Sequence, residues 1–238
     1  MELNSRALAA LNEHVEREWP REAGGVIRCG GFFPLENLHP DPERHWEFET
    51  DDIESVEAVI HSHPDGCAFP SRADMEAQIA LDLPHGIVPM TDVGAAMPFF
   101  WPDTGRPYLG RPYRHGVTDC YTLLRDWYAR ERGLELPAVA YEWRWSEDSP
   151  ALDLYTSWRR RLDWAEVDPA EAQPGDAVLF RMAGSRVANH AGVLLEGGLL
   201  LHHPSPKPYD PTCLSRRTPL GRLARYVAEV VRPPELVT

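Results

Sequence analysis

The sequence has no run of about 18 or more apolar residues, so no helix in it is built to span a membrane. It has few cysteines. Cys29, Cys67, Cys120 and Cys213 lie far apart without a CxxC pair, which argues against a disulfide framework and for synthesis in a reducing compartment. It is also short of positive charge. Against 37 Asp and Glu stand 24 Lys and Arg, a net charge of −13. A surface that acidic argues against a nucleic-acid backbone as main partner, because phosphates need cations to neutralise them. The opening stretch "MELNSRALAALNEHVEREW" lacks the basic start and continuous apolar core of a secretory signal. No internal repeat is visible.

What is present suffices for one sizeable core or two small ones, since 43% of the 238 residues are hydrophobic. Leu8, Leu11, Val15 and Trp19 recur at helical spacing, with Asn4 or Ser5 as cap and Pro20 as stop. "GGVIRCGGFFPL" reads as strand and turn, "AVIHSH" as a strand, and "SRADMEAQIALDL" as a helix capped by Ser71. A Pro- and Gly-rich stretch over 98–112 reads as a linker between domains at 1–97 and 113–238. The second half opens on a helix, "TDCYTLLRDWYARERG", capped by Thr118 or Asp119 and ended by Gly133. "PGDAVLF" and "HAGVLLEGGLLLHH" read as strands. The aromatic segment Tyr141–Trp164 is either core or an interface. The pattern predicts an α+β fold of two small domains, each pairing helices with a mainly antiparallel sheet.

Two clusters carry chemistry. His61 and His63 are two apart on a strand and share a face, and a helix starting at Ser71 brings Asp74 back one turn in. Two nitrogens and a carboxylate with an open fourth position suit a catalytic zinc, whereas Cys67 as fourth ligand would close a structural one. "HSHP", the ten residues between His63 and Asp74, "PSRAD" and the upstream "PREAGG" together resemble the JAMM metallopeptidases. That resemblance implies a mixed α/β domain in which His61, His63 and Asp74 bind zinc. Glu22 would take a proton from the attacking water and Ser71 would steady the oxyanion. It makes Cys67 a bystander. The span from Phe48 to His61 is short for the helix such domains carry there.

The second cluster lies in the C-terminal half. Cys120 starts an amphipathic helix, where the helix N-terminus should lower a thiol pKa. A nucleophilic thiol needs an imidazole, and His190 opens a strand. A two-residue turn at Gly197-Gly198 would put His203 on the face of His190, and a three-residue loop would put His202 there. "DCYTLLRDWY", "QPGDAVLF" and "NHAGVLLEGGLLLHH" resemble the three blocks of the NlpC-type papain-like cysteine peptidases. The resemblance implies Cys120 as nucleophile and His190 as base. It makes His202, twelve positions on, the orienting residue, and Tyr113 the nearest match to an oxyanion tyrosine. It also implies peptidoglycan stem peptides as substrate.

A JAMM domain followed by an NlpC-type domain resembles the tail-tip assembly proteins of lambda-like long-tailed phages. This implies synthesis in the host cytoplasm, a place in the tail tip or delivery to the periplasm, and other tail-tip proteins as partners. It also implies a role in assembly or in local cell-wall opening. The competing expectations are a structural or chaperone-like tail component with vestigial sites, and a cellular cell-wall or deubiquitinase-like enzyme.

Overall fold

Asn4 starts the first helix: its side chain accepts from the Ala7 N–H at 2.9 Å and caps helix α1, Ser5–Glu18. Leu11 and Val15 on α1 are fully buried, while Trp19, just past the helix end, is 59% exposed and takes no part in the apolar face. The structure is a computed structural model describing residues 1–103, 105–143, 145–148, 153–206 and 208–234. It divides into two compact units, Met1–Asp103 and Thr104–Thr238.

The first unit continues through β1 (Gly24–Arg28), β2 (Gly31–Leu35), β3 (Ala58–His63), α2 (Arg72–Leu81), β4 (His85–Thr91), β5 (Gly94–Ala95) and β6 (Phe99–Trp101). The sheet order is β2-β1-β3-β4-β5, with β6 also on β4. Only β3 and β4 pair in parallel, joined across α2; the other pairs are antiparallel. Leu11 and Val15 of α1 pack with Ile27, Ile60 and Val88. Each such side chain contributes about 1.5–3 kcal/mol by leaving water. Between Phe48 and His61 there is one turn of 3-10 helix, Ile53–Ser55.

The second unit holds α3 (Cys120–Arg132), α4 (Trp145–Asp148), α5 (Leu154–Arg161) and β7 (Ala165–Val167). After these come β8 (Ala177–Phe180), β9 (His190–Leu195), β10 (Leu199–His202), β11 (Arg216–Pro219) and β12 (Val227–Arg232). Its sheet, in the order β11-β10-β9-β8-β12-β7, is antiparallel throughout. The "PGD" turn before β8 has a physical reason. Asp176 is fully buried and accepts two bonds of 2.8 Å from Arg232 on β12.

Of the two readings of the aromatic segment, core holds, because Tyr141, Trp145, Tyr155, Trp158 and Trp164 all lie in the main hydrophobic cluster of this unit. Residues 144 and 149–152 of that segment lie outside the described residues. The 98–112 stretch carries some structure of its own. Phe99–Trp101 forms β6, and Arg111 is buried in the second unit, bonded to Asp126 at 2.5 Å and to the Pro107 carbonyl at 2.7 Å.

Candidate functional site

The first site is built by strand register. Gly24 of β1 stands opposite His61 of β3, and Glu22, two residues before Gly24, is buried within electrostatic reach of His61 and His63. The approach is so close that a Cβ on Gly24 would strike the Ile60 carbonyl and the His61 side chain. Ser62 ties the strands, accepting from the Ala23 N–H at 3.0 Å and donating its own N–H to the Ala23 carbonyl at 2.8 Å. The loop over 37–45 holds the other side of Glu22. The Asn37 amide donates to the Glu22 carbonyl at 2.9 Å and to the His45 carbonyl at 2.8 Å.

The side chains converge. His61 Nε2 lies 3.2 Å from His63 Nε2 and 3.2 Å from Asp74 Oδ1, and His63 Nε2 lies 3.4 Å from Asp74 Oδ2. Ligands about 2.0–2.1 Å from a tetrahedral zinc stand about 3.3 Å from one another, so the spacing fits that ion. Among the described residues this is the one His/Cys/Asp/Glu group with such spacing. His63 Nδ1 bonds the Cys67 carbonyl at 3.1 Å, which turns Nε2 toward the cluster. Cys67 thus contributes its backbone. Its thiol donates to the Phe69 carbonyl at 3.4 Å and is no ligand. Trp46 stacks on His61 with ring centroids 5.5 Å apart.

Ser71 and Asp74 form a reciprocal cap, with Asp74 N–H to Ser71 Oγ at 3.1 Å and Ser71 N–H to Asp74 Oδ2 at 2.7 Å. Ser71 keeps its hydroxyl proton to donate. Burial would raise the Asp74 carboxyl, but the two histidines hold it well below the usual carboxylate range. For Glu22 burial wins: it is pushed up, though His61 and His63 pull the other way.

The second site is built at the start of α3. Asp119 caps this helix and is fully engaged, accepting from Tyr121 N and Thr122 N at 3.0 Å each, from Gly116 N at 2.8 Å and from the Tyr141 hydroxyl at 2.7 Å. Cys120 follows in the first turn, its thiol 3.2 Å from the Tyr155 hydroxyl. Across it, His190 Nε2 bonds His202 Nδ1 at 2.8 Å, and His202 Nε2 bonds Thr218 Oγ1 at 2.8 Å. The hairpin explains the partner. Leu195 pairs with Leu199 around Glu196–Gly198, a three-residue loop with Gly197 and Gly198 both left-handed at φ 72° and 69°. His202 therefore takes the face of His190, and His203 turns away to the Cys213 carbonyl at 3.2 Å.

Asp119, Cys120, Tyr155, His190 and His202 line a cavity of about 320 Å³ together with Tyr113 and Arg216. Burial, helped by the Asp119 carboxylate, pushes the Cys120 thiol up to about 12, against the expectation that the helix N-terminus lowers it. Burial together with His202 and His203 draws His190 well below its ordinary value. Both shifts favour the uncharged forms, thiol and imidazole. Tyr113 bonds Ser205 at 2.9 Å; the hydroxyl on the thiol belongs to Tyr155. Tyr155 and Thr218 escaped the sequence reading, since a tyrosine in an aromatic segment and a threonine in a short strand carry no signal of their own.

Comparison with known proteins agrees with both halves. The profile of the prokaryotic homologues of the JAB domain matches residues 4–101, and that of the NlpC/P60 family matches residues 110–211. The tail tip assembly protein K of Escherichia phage N15 is 32% identical over 214 residues, 84% of this chain and 85% of its own. The tail tip assembly protein K of Escherichia phage lambda is 39% identical over 149 residues, 62% of this chain and 69% of its own. The NlpC/p60 domain of the peptidoglycan hydrolase SagA is 18% identical, covering 52% of this chain and 89% of that one, with a TM-score of 0.34.

Proposed function

We infer the function from one premise: this chain belongs to the tail tip assembly protein K family. Its second unit is a cysteine endopeptidase acting on peptidoglycan stem peptides. Its first unit is a zinc-dependent peptidase. The protein is made in the host cytoplasm and built into the tail tip among other tail proteins, where it serves assembly, local cell-wall opening at DNA entry, or both.

The observation that carries the reading is the hydrogen-bonded series His190–His202–Thr218 ending in a cavity that also holds Cys120. With Nε2 of His190 donating to His202, Nδ1 is left as the base. It takes the thiol proton as Cys120 sulfur attacks the peptide carbonyl carbon. The Cys120 N–H, an orphan donor of the first helical turn, and the Tyr155 hydroxyl meet the oxyanion. His190 then returns the proton to the departing amine. Water hydrolyses the thioester, with His190 again accepting a proton, and the thiol is restored.

In the first unit His61, His63 and Asp74 would hold the ion. Bound zinc supplies a Lewis acid and lowers the pKa of a water to about 7. Glu22, its carboxyl raised by burial, would accept the water proton. Ser71 donates its hydroxyl proton to developing negative charge.

The deciding experiment is digestion of purified peptidoglycan by the full chain with mass analysis of the products. Cleaved stem peptides are expected with wild type and none with Cys120→Ala; intact cleavage by that variant sinks the nucleophile assignment. A second reading rests on the relatives being named for assembly: the units act as docking bodies and the chemistry is dispensable. Infectious tails from a Cys120→Ala, Glu22→Gln double variant would establish it.

A further inference from the structure

Charge is unevenly spread along this acidic chain. Residues 181–225 hold seven Lys and Arg against two Asp and Glu, although the whole carries −13. That stretch supplies His190, His202 and one wall of the thiol cavity. Arg216 opens β11 directly opposite His202 of β10, and His190 of β9 lies diagonally beyond. Residues paired in this way send their side chains to one face of the sheet, about 5 Å apart for direct neighbours. All three line the cavity.

Arg216 is the arginine that lines this cavity, and it differs from those of its unit that are tied to acids. Arg111 bonds Asp126, Arg159 pairs with Glu229 at 3.1 Å, and Arg232 grips Asp176. The Arg216 guanidinium is exposed and makes no hydrogen bond or ion pair among the described residues. It is a permanent cation with five donors, held at the mouth of a cavity otherwise walled by rings such as Tyr113, Trp143 and Tyr155. Its field is felt at His202 and His203, whose imidazoles it helps to keep neutral.

We propose that Arg216 is a carboxylate-binding subsite of the thiol cavity, selecting peptides that carry a free carboxylate close to the scissile bond. The proposal rests on the cysteine-peptidase reading and adds to it the chemical class of substrate. A guanidinium fork matches a carboxylate with two parallel bonds and distinguishes it from an amide of the same shape. The aromatic walls take small apolar side chains.

The test compares a synthetic stem peptide bearing free carboxylates with its fully amidated analogue, using the full chain. Wild type should cleave the acid with kcat/KM roughly tenfold above the amide, the loss expected for one charge-assisted pair. Arg216→Gln should erase that preference by lowering activity on the acid alone, and Arg216→Lys should keep part of it. Equal cleavage of acid and amide by wild type, or a preference that survives in Arg216→Gln, overturns the proposal. Calorimetric binding of the same two peptides to Cys120→Ala separates it from the peptidase reading. Cleavage absent but acid binding preferred, and lost with Arg216→Gln, retires the chemistry and keeps the subsite. No preference in binding or cleavage retires the subsite.

Discussion

Cys120 at rest is a buried thiol pushed up to about 12, beside an imidazole drawn well below its ordinary value. A thiolate–imidazolium pair would give an alkylation rate flat on the acid side of neutrality. The rate of Cys120 alkylation by iodoacetamide should instead climb steadily from pH 6 through pH 9 without a plateau; mass spectrometry of the modified peptide reads it. Thr218→Val removes the acceptor for His202 Nε2–H and should slow peptide cleavage roughly fivefold, with Thr218→Ser restoring it, since one neutral hydrogen bond is worth about 1 kcal/mol. Tyr155→Phe should cost about 100-fold in kcat, as loss of an oxyanion donor does. The motif residues were legible because their chemistry restricts the amino-acid type: imidazoles at strand positions, a thiol at a helix start, a carboxylate one turn into a helix. Tyr155 and Thr218 were not, because their roles exist only once α5 and β11 have packed against those residues.

At the scale of elements, the β9–β10 hairpin decides which histidine serves. A one-residue slip would exchange His202 for His203. The sequence left both registers open, since "EGG" accommodates a two- or a three-residue turn. The three-residue loop closed on Leu195 and Leu199 resolves it. His202→Ala should therefore lower cleavage by two or more orders of magnitude, the scale on which orienting groups act. His203→Ala should change it less than fivefold, and kinetics of the two variants on one substrate decides between them. The same strands set a pH limit on the fold. Burial and Arg216 hold His202 at about 4, below its unfolded value of 6.5, so the neutral form stabilises the native state. That contribution is complete above pH 6.5 and is lost as pH falls toward 4, at most about 3 kcal/mol for this group. Thermal midpoints should drop over that window, and His202→Asn should flatten the drop. β7, β11 and β12 went unread in the sequence. They are short, and the exposed charges of "SRRTP" conceal that its neighbour β10 is buried.

For the whole molecule, the two candidate sites sit on two separate cores. Among the described residues only the His61, His63 and Asp74 group has metal-ligand spacing, so the full chain should bind one zinc. Elemental analysis should find it in wild type and not in His63→Ala. Chelation should lower the melting temperature of the metal-bearing unit, since an ion at 100 times its Kd stabilises by about 2.7 kcal/mol. It should leave Cys120-dependent cleavage unchanged, and a loss of both activities on chelation would contradict this division. Domain order was legible from two motif sets in sequence. The extent of the connection between them was not, because proline and glycine mark turns within a unit as readily as chain between units. Phe99–Trp101 is strand and Arg111 is core despite their Pro-rich setting.

The Tyr155 hydroxyl resting on the Cys120 sulfur has a consequence for durability. Peroxide and oxygen attack thiolates that solvent can reach, and Cys120 is protonated and only 8% exposed. Cys29, exposed at the β1–β2 turn, offers oxidants an easier target. On the proposed role of Cys120 as nucleophile, such shielding would let the thiol tolerate long storage in air and react only once a substrate has entered.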